Sequence, residues 1–366
     1  METGERYAGL DALRVVAGVA LLVAHGAFWL APFGLPDALW LAIGHLGVDG
    51  FLVVTGFLCG LHFFSSVEIS ALRFWARRAL RLLPLYFLFI AINLVLAPHL
   101  GVSTSAWPAY FTLNQNLAWP HPQFFAEMWI VPAVVAFYLL LPIVWRWLLR
   151  RGQASVVAGT LGLIGLIAVA NLIRFLFVAH ADAGWDEGVR KVVIARLDAP
   201  LYGVLLAWLV ARNGFASAAA RNSTAVVGAL MLLTGIAIHL LRPIDTDSQF
   251  VRTALFTWVD LGWAALLPWA CAGHFAPRVA GLLTLLAASA YPLLLSHMTL
   301  LRVAAVAGLP LTTTSQWHGI VLLGGYVIVA LTIGLGICFA IDRPLLIWRA
   351  RLLPTQMEHL APFAKR

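Results

Sequence analysis

The chain has 366 residues, 62% of them hydrophobic and 11% charged, with a net charge of +8 and a mean hydropathy of +0.90. A soluble domain carries about 45–50% apolar and about 25% charged residues, and no soluble interior accommodates this much apolar surface. These figures exclude an ordinary soluble enzyme, a disordered chain and a coiled coil, and leave one compact domain with a bilayer as its solvent.

A spanning helix needs about 20 mostly apolar residues. Ten such runs occur in chain order, at 12–32, 39–62, 82–98, 128–149, 154–178, 192–211, 224–241, 253–273, 281–306 and 318–341. The third is short, and Pro292 could break the ninth. With the N-terminus inside, most basic residues fall on inner segments and helix ends: Arg6 and Arg14; Arg73, Arg77, Arg78 and Arg81; Arg146, Arg150 and Arg151; Arg212 and Arg221; Arg278; and Arg343, Arg349, Arg351, Lys365 and Arg366. This excess predicts both termini in the cytoplasm and explains the basicity without nucleic acid. The expected fold is all-α and polytopic, with about ten transmembrane helices. A membrane domain would cover 1–345 and a basic cytoplasmic tail 346–366. The first run is long for a cleaved signal and no A-x-A site follows it. No tandem or inverted repeat is evident. Cys59, Cys271 and Cys338 sit in apolar runs without metal or disulfide spacing and read as packing residues.

Charged residues inside spans are costly and are functional candidates by default. The first span carries Asp11, Arg14 and His25. Eleven residues separate Arg14 from His25, so they face within ~20° of one direction, ~16 Å apart along the axis. Asp11 can pair with Arg14. His25 is either a hydrogen-bonded interior imidazole or a proton acceptor titrating near neutrality. In the second span Gly56 and Gly60 form a small-xxx-small packing face. His45 and Asp49 are spaced for a metal pair, but no third ligand is evident. Arg77, Arg78 and Arg81 crowd one helical stretch. They are either a stop-transfer anchor or a site for a phosphate-bearing cytoplasmic ligand or anionic lipid. The outer loop 99–127, with Trp107, Asn114, Asn116, Trp119 and His121, suits an interfacial aromatic belt or a sugar-stacking surface. Later come Arg196-Leu197-Asp198, Asp260, His297 and Arg302, as ion pairs or cavity lining. There is no G-x-S-x-G elbow, Walker A loop, complete G-x-G-x-x-G or HExxH.

Several segments, in order, resemble the type-3 membrane acyltransferase family. Arg14 followed by ten residues and His25 is similar to that family's R-x10-H hallmark. Gly47-Val48-Asp49-Gly50-Phe51 through Thr55-Gly56-Phe57-Leu58 resembles its GVDxFFxxSGFL segment, with Thr55 for Ser. Arg77-Arg78-xx-Arg81-xx-Pro84 resembles its basic loop. Met128-Trp129 through Phe137-Tyr138 to Pro142 resembles a W-S-L-x-x-E-x-x-F-Y-x-x-x-P span. Arg196-Leu197-Asp198 through Gly203 to Ala207, Ser289 to His297, and Ile341-Asp342-Arg343-Pro344 extend the likeness to residue 344. One departure is Val134, where the family motif has Glu; Glu127 is the nearest carboxylate that could take over that role.

The resemblance implies a multi-pass protein of the bacterial plasma membrane. It implies an O-acyltransferase that takes an acyl group, acetyl by default, from cytoplasmic acyl-CoA to a hydroxyl of a carbohydrate, lipid-linked glycan or small acceptor. No metal is expected. His25 would be the base, with Arg14 and Asp11 beside it. Arg77, Arg78 and Arg81 would hold the CoA phosphates. Asp49, Thr55, Trp129, Arg196 and His297 would contact substrate. The family's frequent extracytoplasmic hydrolase-like domain is missing from this sequence, so the expectation is a membrane domain acting alone or with a separate partner. Two other readings account for the same residues. One is a transporter or flippase with Arg14, Arg196 and Arg302 along a permeation path. The other is an inactive envelope-assembly partner, motivated by Val134.

Overall fold

The computed structural model describes residues 7–65, 70–152, 155–180, 184–214, 217–241 and 248–353. Among these the regular structure is helical, as required where lipid offers backbone groups no partner. The longer helices are α1 (Ala8–His25), α2 (Asp37–Ser65), α3 (Ala71–Leu96), α4 (Ile130–Gly152), α5 (Val156–Ala179), α6 (Ala199–Asn213), α7 (Ala218–Leu241), α8 (Ala254–Ala272), α9 (Pro277–Ala288), α10 (Ala290–Val306), α11 (Gln316–Ile337) and α12 (Arg343–Leu352). Eight helical stretches among the described residues are long and apolar enough to cross a bilayer, α9 with α10 forms a bent ninth, and α6 is a shorter apolar helix. The protein is therefore a multi-pass membrane protein.

Helix α2 is the hub. It packs on α1, α6, α7 and α8, and 72% of its span is buried, against 17% for α7 and for the stretch Gln316–Leu352. The hub is possible because α2 and α6 meet through small residues. A Cβ at Gly56 would overlap the Pro200 carbonyl, one at Gly203 the Val53 carbonyl, and Gly60 faces Ala207. The small-xxx-small face of α2 thus has its partner on α6.

Four boundaries differ from the hydropathy reading, each for a local reason. Helix α3 starts at Ala71, where the Ser70 hydroxyl accepts from the Arg73 N–H. Its first turns are Ala-, Leu- and Arg-rich, good helix formers that hydropathy alone passes over. The first span ends at His25, and a 3-10 turn, Ala27–Phe33, follows. The ninth span bends by 58° at Ser289 rather than at Pro292. Pro292 cannot donate to the carbonyl four residues back, so the break falls one turn upstream; the Cys338 thiol lies 3.7 Å from that Ala288 carbonyl. Residues 186–198 are π- and 3-10-turns instead of the start of the sixth span. Their backbone is satisfied by the loop below: Val193 N–H donates to the Asn116 carbonyl at 2.9 Å and Ile194 N–H to that of Leu117 at 3.1 Å. Irregular backbone buried in protein needs such partners for its polar groups.

At the C-terminal end α11 runs through a π turn, Cys338–Asp342, into α12. The combined stretch of 37 residues is ~55 Å long, so α12 extends past a hydrocarbon core of about 30 Å. The expected tail boundary at 345 falls inside α12, and residues 354–366 lie outside the described residues.

Candidate active site

Helix α1 carries a polar stripe from Asp11 to His25. Arg14 Nη1 lies 3.4 Å from Asp11 Oδ1, and the Thr284 hydroxyl of α9 donates to Asp11 Oδ2 at 2.9 Å. Eleven residues on, His25 Nδ1 is 2.9 Å from His297 Nε2 of α10, with the rings stacked at 5.0 Å between centroids. His297 Nδ1 is 3.0 Å from the Leu293 carbonyl. A carbonyl only accepts, so His297 Nδ1 carries a proton and its Nε2, in the neutral ring, accepts from the Nδ1–H of His25. The remaining lone pair of the pair is then on His25 Nε2, and His25 is the half-buried member while His297 is buried. The arrangement presents one oriented imidazole base.

Below the histidines lies a cavity of about 360 Å³, within the range of small-molecule sites. Arg14, Arg78, Arg81 and Arg349 line its polar part, with Thr55, Cys59, Tyr138 and Tyr291; Leu52, Ile130, Val131 and Leu294 line its apolar part. Leu294 is one turn, ~4.5 Å, from His297 on the same helix. The lining therefore stops one turn short of the histidine pair.

The arginines are not equivalent. Arg81 lies 3.3 Å from Asp342. Arg78 has no carboxylate at ion-pair distance among the described residues. It donates to the Cys59 sulfur at 3.4 Å and stacks on Phe74 and Tyr138, 5.1 and 4.9 Å from the ring centroids. Arg77 does not line the cavity; its guanidinium donates to the Leu353 carbonyl beyond α12. Val134, at the family's Glu position, is part of the cavity wall. Glu127 sits above, held by both Nη atoms of Arg302 at 2.5 and 2.9 Å, and Arg302 also donates to Asn93 Oδ1 at 2.8 Å.

Asp49 and Arg196 are brought together, but away from the cavity. They pair directly and are fully buried. Asp49 Oδ2 also lies 2.9 Å from His45 Nε2, and His45 Nδ1 lies 3.0 Å from His239 Nε2. Beside them Arg174 donates to both oxygens of Asp198 at 2.8 Å. The network ties α2, α5 and α7 to the irregular segment before α6. In each of these two pairs a buried guanidinium faces a buried carboxylate, which offsets the cost of both charges in a low dielectric. A guanidinium on the same carboxylate also leaves no place for a cation at His45 and Asp49.

Trp129 is buried away from the cavity lining. Its ring lies 5.4 Å from the Arg190 guanidinium, and its carbonyl accepts from Asn116 at 3.0 Å. Arg190 and Lys191 pair with Asp186, with Lys191 Nζ at 2.6 Å. Burial would raise the Asp186 carboxyl, but these two cations outweigh it and hold it at about 2. Burial, with Lys191 nearby, lowers His121 to about 3, so this imidazole is neutral at physiological pH. Of the outer-loop aromatics, Trp107 and Trp119 are exposed.

Three participants escaped the sequence reading. His239 is a lone histidine late in an apolar helix. Tyr138 belongs to the F-Y pair of the fourth span, but nothing in the sequence marks it as a cavity residue. Arg349 lies in Trp348-Arg349-Ala350-Arg351, which reads as a basic tail; the only available signal was that helical pattern continues past Pro344.

The comparisons with known proteins follow the same lines. A family model described as an acyltransferase domain matches residues 7–341. Curated relatives include O-acetyltransferase OatA of Staphylococcus aureus strains COL and MW2, each 29% identical over 221 residues. The alignment covers 55% of this chain and 34% of theirs, so the chain spans about a third of the length of these relatives. No solved structure matches. With nearly its whole length matched, from before the Arg14–His25 stripe into the π turn, the chain belongs to the type-3 membrane acyltransferase family.

Proposed function

We propose that the chain is an integral-membrane O-acetyltransferase that moves an acetyl group from cytoplasmic acyl-CoA to a hydroxyl of an envelope carbohydrate. The observation that carries this reading is Arg78, a guanidinium within the bundle, on a cavity wall, without a carboxylate partner among the described residues. A cation in that position is stabilised by an anionic ligand. Phosphate groups at Arg78 and Arg81 would leave the thioester end to run along the apolar wall toward Leu294 and the histidine pair.

The chemistry then uses one base. The acceptor hydroxyl arrives from the outer side and gives its proton to His25 Nε2 while its oxygen attacks the thioester carbonyl. His297 holds the imidazole through His25 Nδ1–H and stabilises the imidazolium. The tetrahedral intermediate collapses with loss of the CoA thiolate, which takes the proton from His25. The products are the O-acetyl ester and free CoA thiol. The positive-inside pattern supports a cytoplasmic mouth for the cavity. The name of the relatives, O-acetyltransferase, supports acetyl as the group moved.

The transporter reading loses its path. Of Arg14, Arg196 and Arg302, only Arg14 lines the cavity; Arg196 is bound to Asp49 and Arg302 to Glu127. The test is transfer of labelled acetyl from acetyl-CoA to peptidoglycan fragments by the purified chain in nanodiscs. Label is expected in base-labile ester on the glycan. Arg78→Gln is expected to raise KM for acetyl-CoA about tenfold or more. No transfer, with no acetyl-CoA binding, would overturn the proposal.

A further inference from the structure

The cavity's polar end is completed by a residue outside the stretch that the family model matches. Arg349 comes from α12, yet it lines the cavity with Arg14, Arg78 and Arg81. Its position is set by a two-way strap between α3 and α12. Arg77 donates to the Leu353 carbonyl, and Arg349 Nη1 donates to the Arg77 carbonyl at 3.4 Å. Each helix thus bonds the other's main chain through an arginine.

The four cavity arginines divide by compensation. Arg14 has Asp11 at 3.4 Å and Arg81 has Asp342 at 3.3 Å. Neither Arg78 nor Arg349 has a carboxylate at ion-pair distance among the described residues. The Nε of Arg349 is buried and makes no hydrogen bond there. Arg78 and Arg349, with no carboxylate of the described residues at ion-pair distance, repel each other on one cavity unless a multivalent anion lies between them. A single carboxylate would leave one of them unmatched, whereas the phosphate-bearing end of a nucleotide thioester supplies several anionic oxygens in forks that suit guanidinium.

We propose that Arg349 is a donor-binding residue that reads the phosphates of acyl-CoA, so that α12 is a wall of the donor site and not a tail. The proposal rests on the acyl-CoA reading of the cavity given above. It makes the C-terminal helix a determinant of which thioesters are accepted. Arg349 discriminates phosphate-bearing donors from phosphate-free ones, while the histidine pair and the apolar wall treat both alike.

The test compares acetyl-CoA with S-acetylpantetheine, which carries the same thioester arm and no phosphate. Affinities of both are measured on the full chain in nanodiscs, for wild type, Arg349→Gln and Arg349→Lys, with thermal unfolding as a check on folding. Arg349→Gln is expected to weaken acetyl-CoA about tenfold and leave S-acetylpantetheine unmoved. Arg349→Lys should fall between, since it keeps the charge and loses the fork. If Arg349→Gln weakens both thioesters equally, or neither, Arg349 only docks α12 and the proposal falls. If wild type binds S-acetylpantetheine and acetyl-CoA equally well, phosphate recognition fails while the thioester reading stands. If wild type binds neither, the donor reading fails and this inference with it.

Discussion

At the scale of the residue, the central feature is the direction of one hydrogen-bond chain. The Leu293 carbonyl fixes the His297 tautomer, and His297 fixes that of His25. In the proposed reaction His297 is a positioning residue, and its loss should act on turnover rather than on donor affinity. His297→Leu is expected to lower kcat about 100-fold, with KM for acetyl-CoA unchanged. His297→Gln keeps a carbonyl oxygen that can accept from His25 Nδ1–H, and should recover about tenfold of that loss. Steady-state kinetics on both variants check this. Equal impairment of the two, or an effect on KM alone, would contradict the relay. In the sequence His25 was visible because the R-x10-H spacing puts it on the Arg14 face. Its partner was not, because His297 lies 272 residues away and only packing brings α10 against α1. Asp49 and Arg196 were expected from the family resemblance to contact substrate; the structure pairs them with each other, buried and outside the cavity lining.

At the scale of the element, α2 and α6 are joined by absence of side chains. A Cβ at Gly56 would overlap main-chain atoms of Pro200, which cannot move without displacing the start of α6. Overpacking against flexible side chains costs about 1–3 kcal/mol; against backbone the upper end applies. Gly56→Leu is therefore expected to destabilise the protein by about 3 kcal/mol, read as a lower thermal unfolding midpoint in detergent. An unchanged midpoint would mean that the helices do not meet there. The small-residue spacing on α2 was legible from sequence, and so was the existence of ten apolar stretches. The irregular segment 186–198 was legible only in part: its charged start, Asp186 to Lys191, lies outside the run at 192–211, but apolar Val192 to Ala195 read as the beginning of that span. What distinguishes it is that Asn116 and Leu117 supply its backbone partners from another part of the chain. The bend at Ser289 was legible only in part. Pro292 announces a break, but the freed carbonyl lies four residues upstream and sets the actual position.

At the scale of the whole molecule, two polar clusters in the apolar bundle differ in how their charge is matched. One is the matched network around Asp49, Arg196, Arg174 and Asp198, which holds α2, α5 and α7 to the segment before α6. The other is the arginine cavity, where Arg78 and Arg349 have no carboxylate at ion-pair distance among the described residues, with the histidine pair one turn above it. The first stabilises and the second is built to receive. A helix from each end of the chain contributes to the second, α1 through Arg14 and α12 through Arg349, so the cavity depends on the complete bundle rather than on one motif.

The most direct test of that division is turnover by the purified chain in nanodiscs, wild type against His25→Ala, with acetyl-CoA affinity measured on both. Wild type should release CoA thiol only when a glycan acceptor is present. His25→Ala should lose about 100-fold or more of that release while binding acetyl-CoA as wild type does. Equal release from the two proteins would contradict His25 as the base, and loss of donor binding together with release would show that His25 shapes the donor site instead.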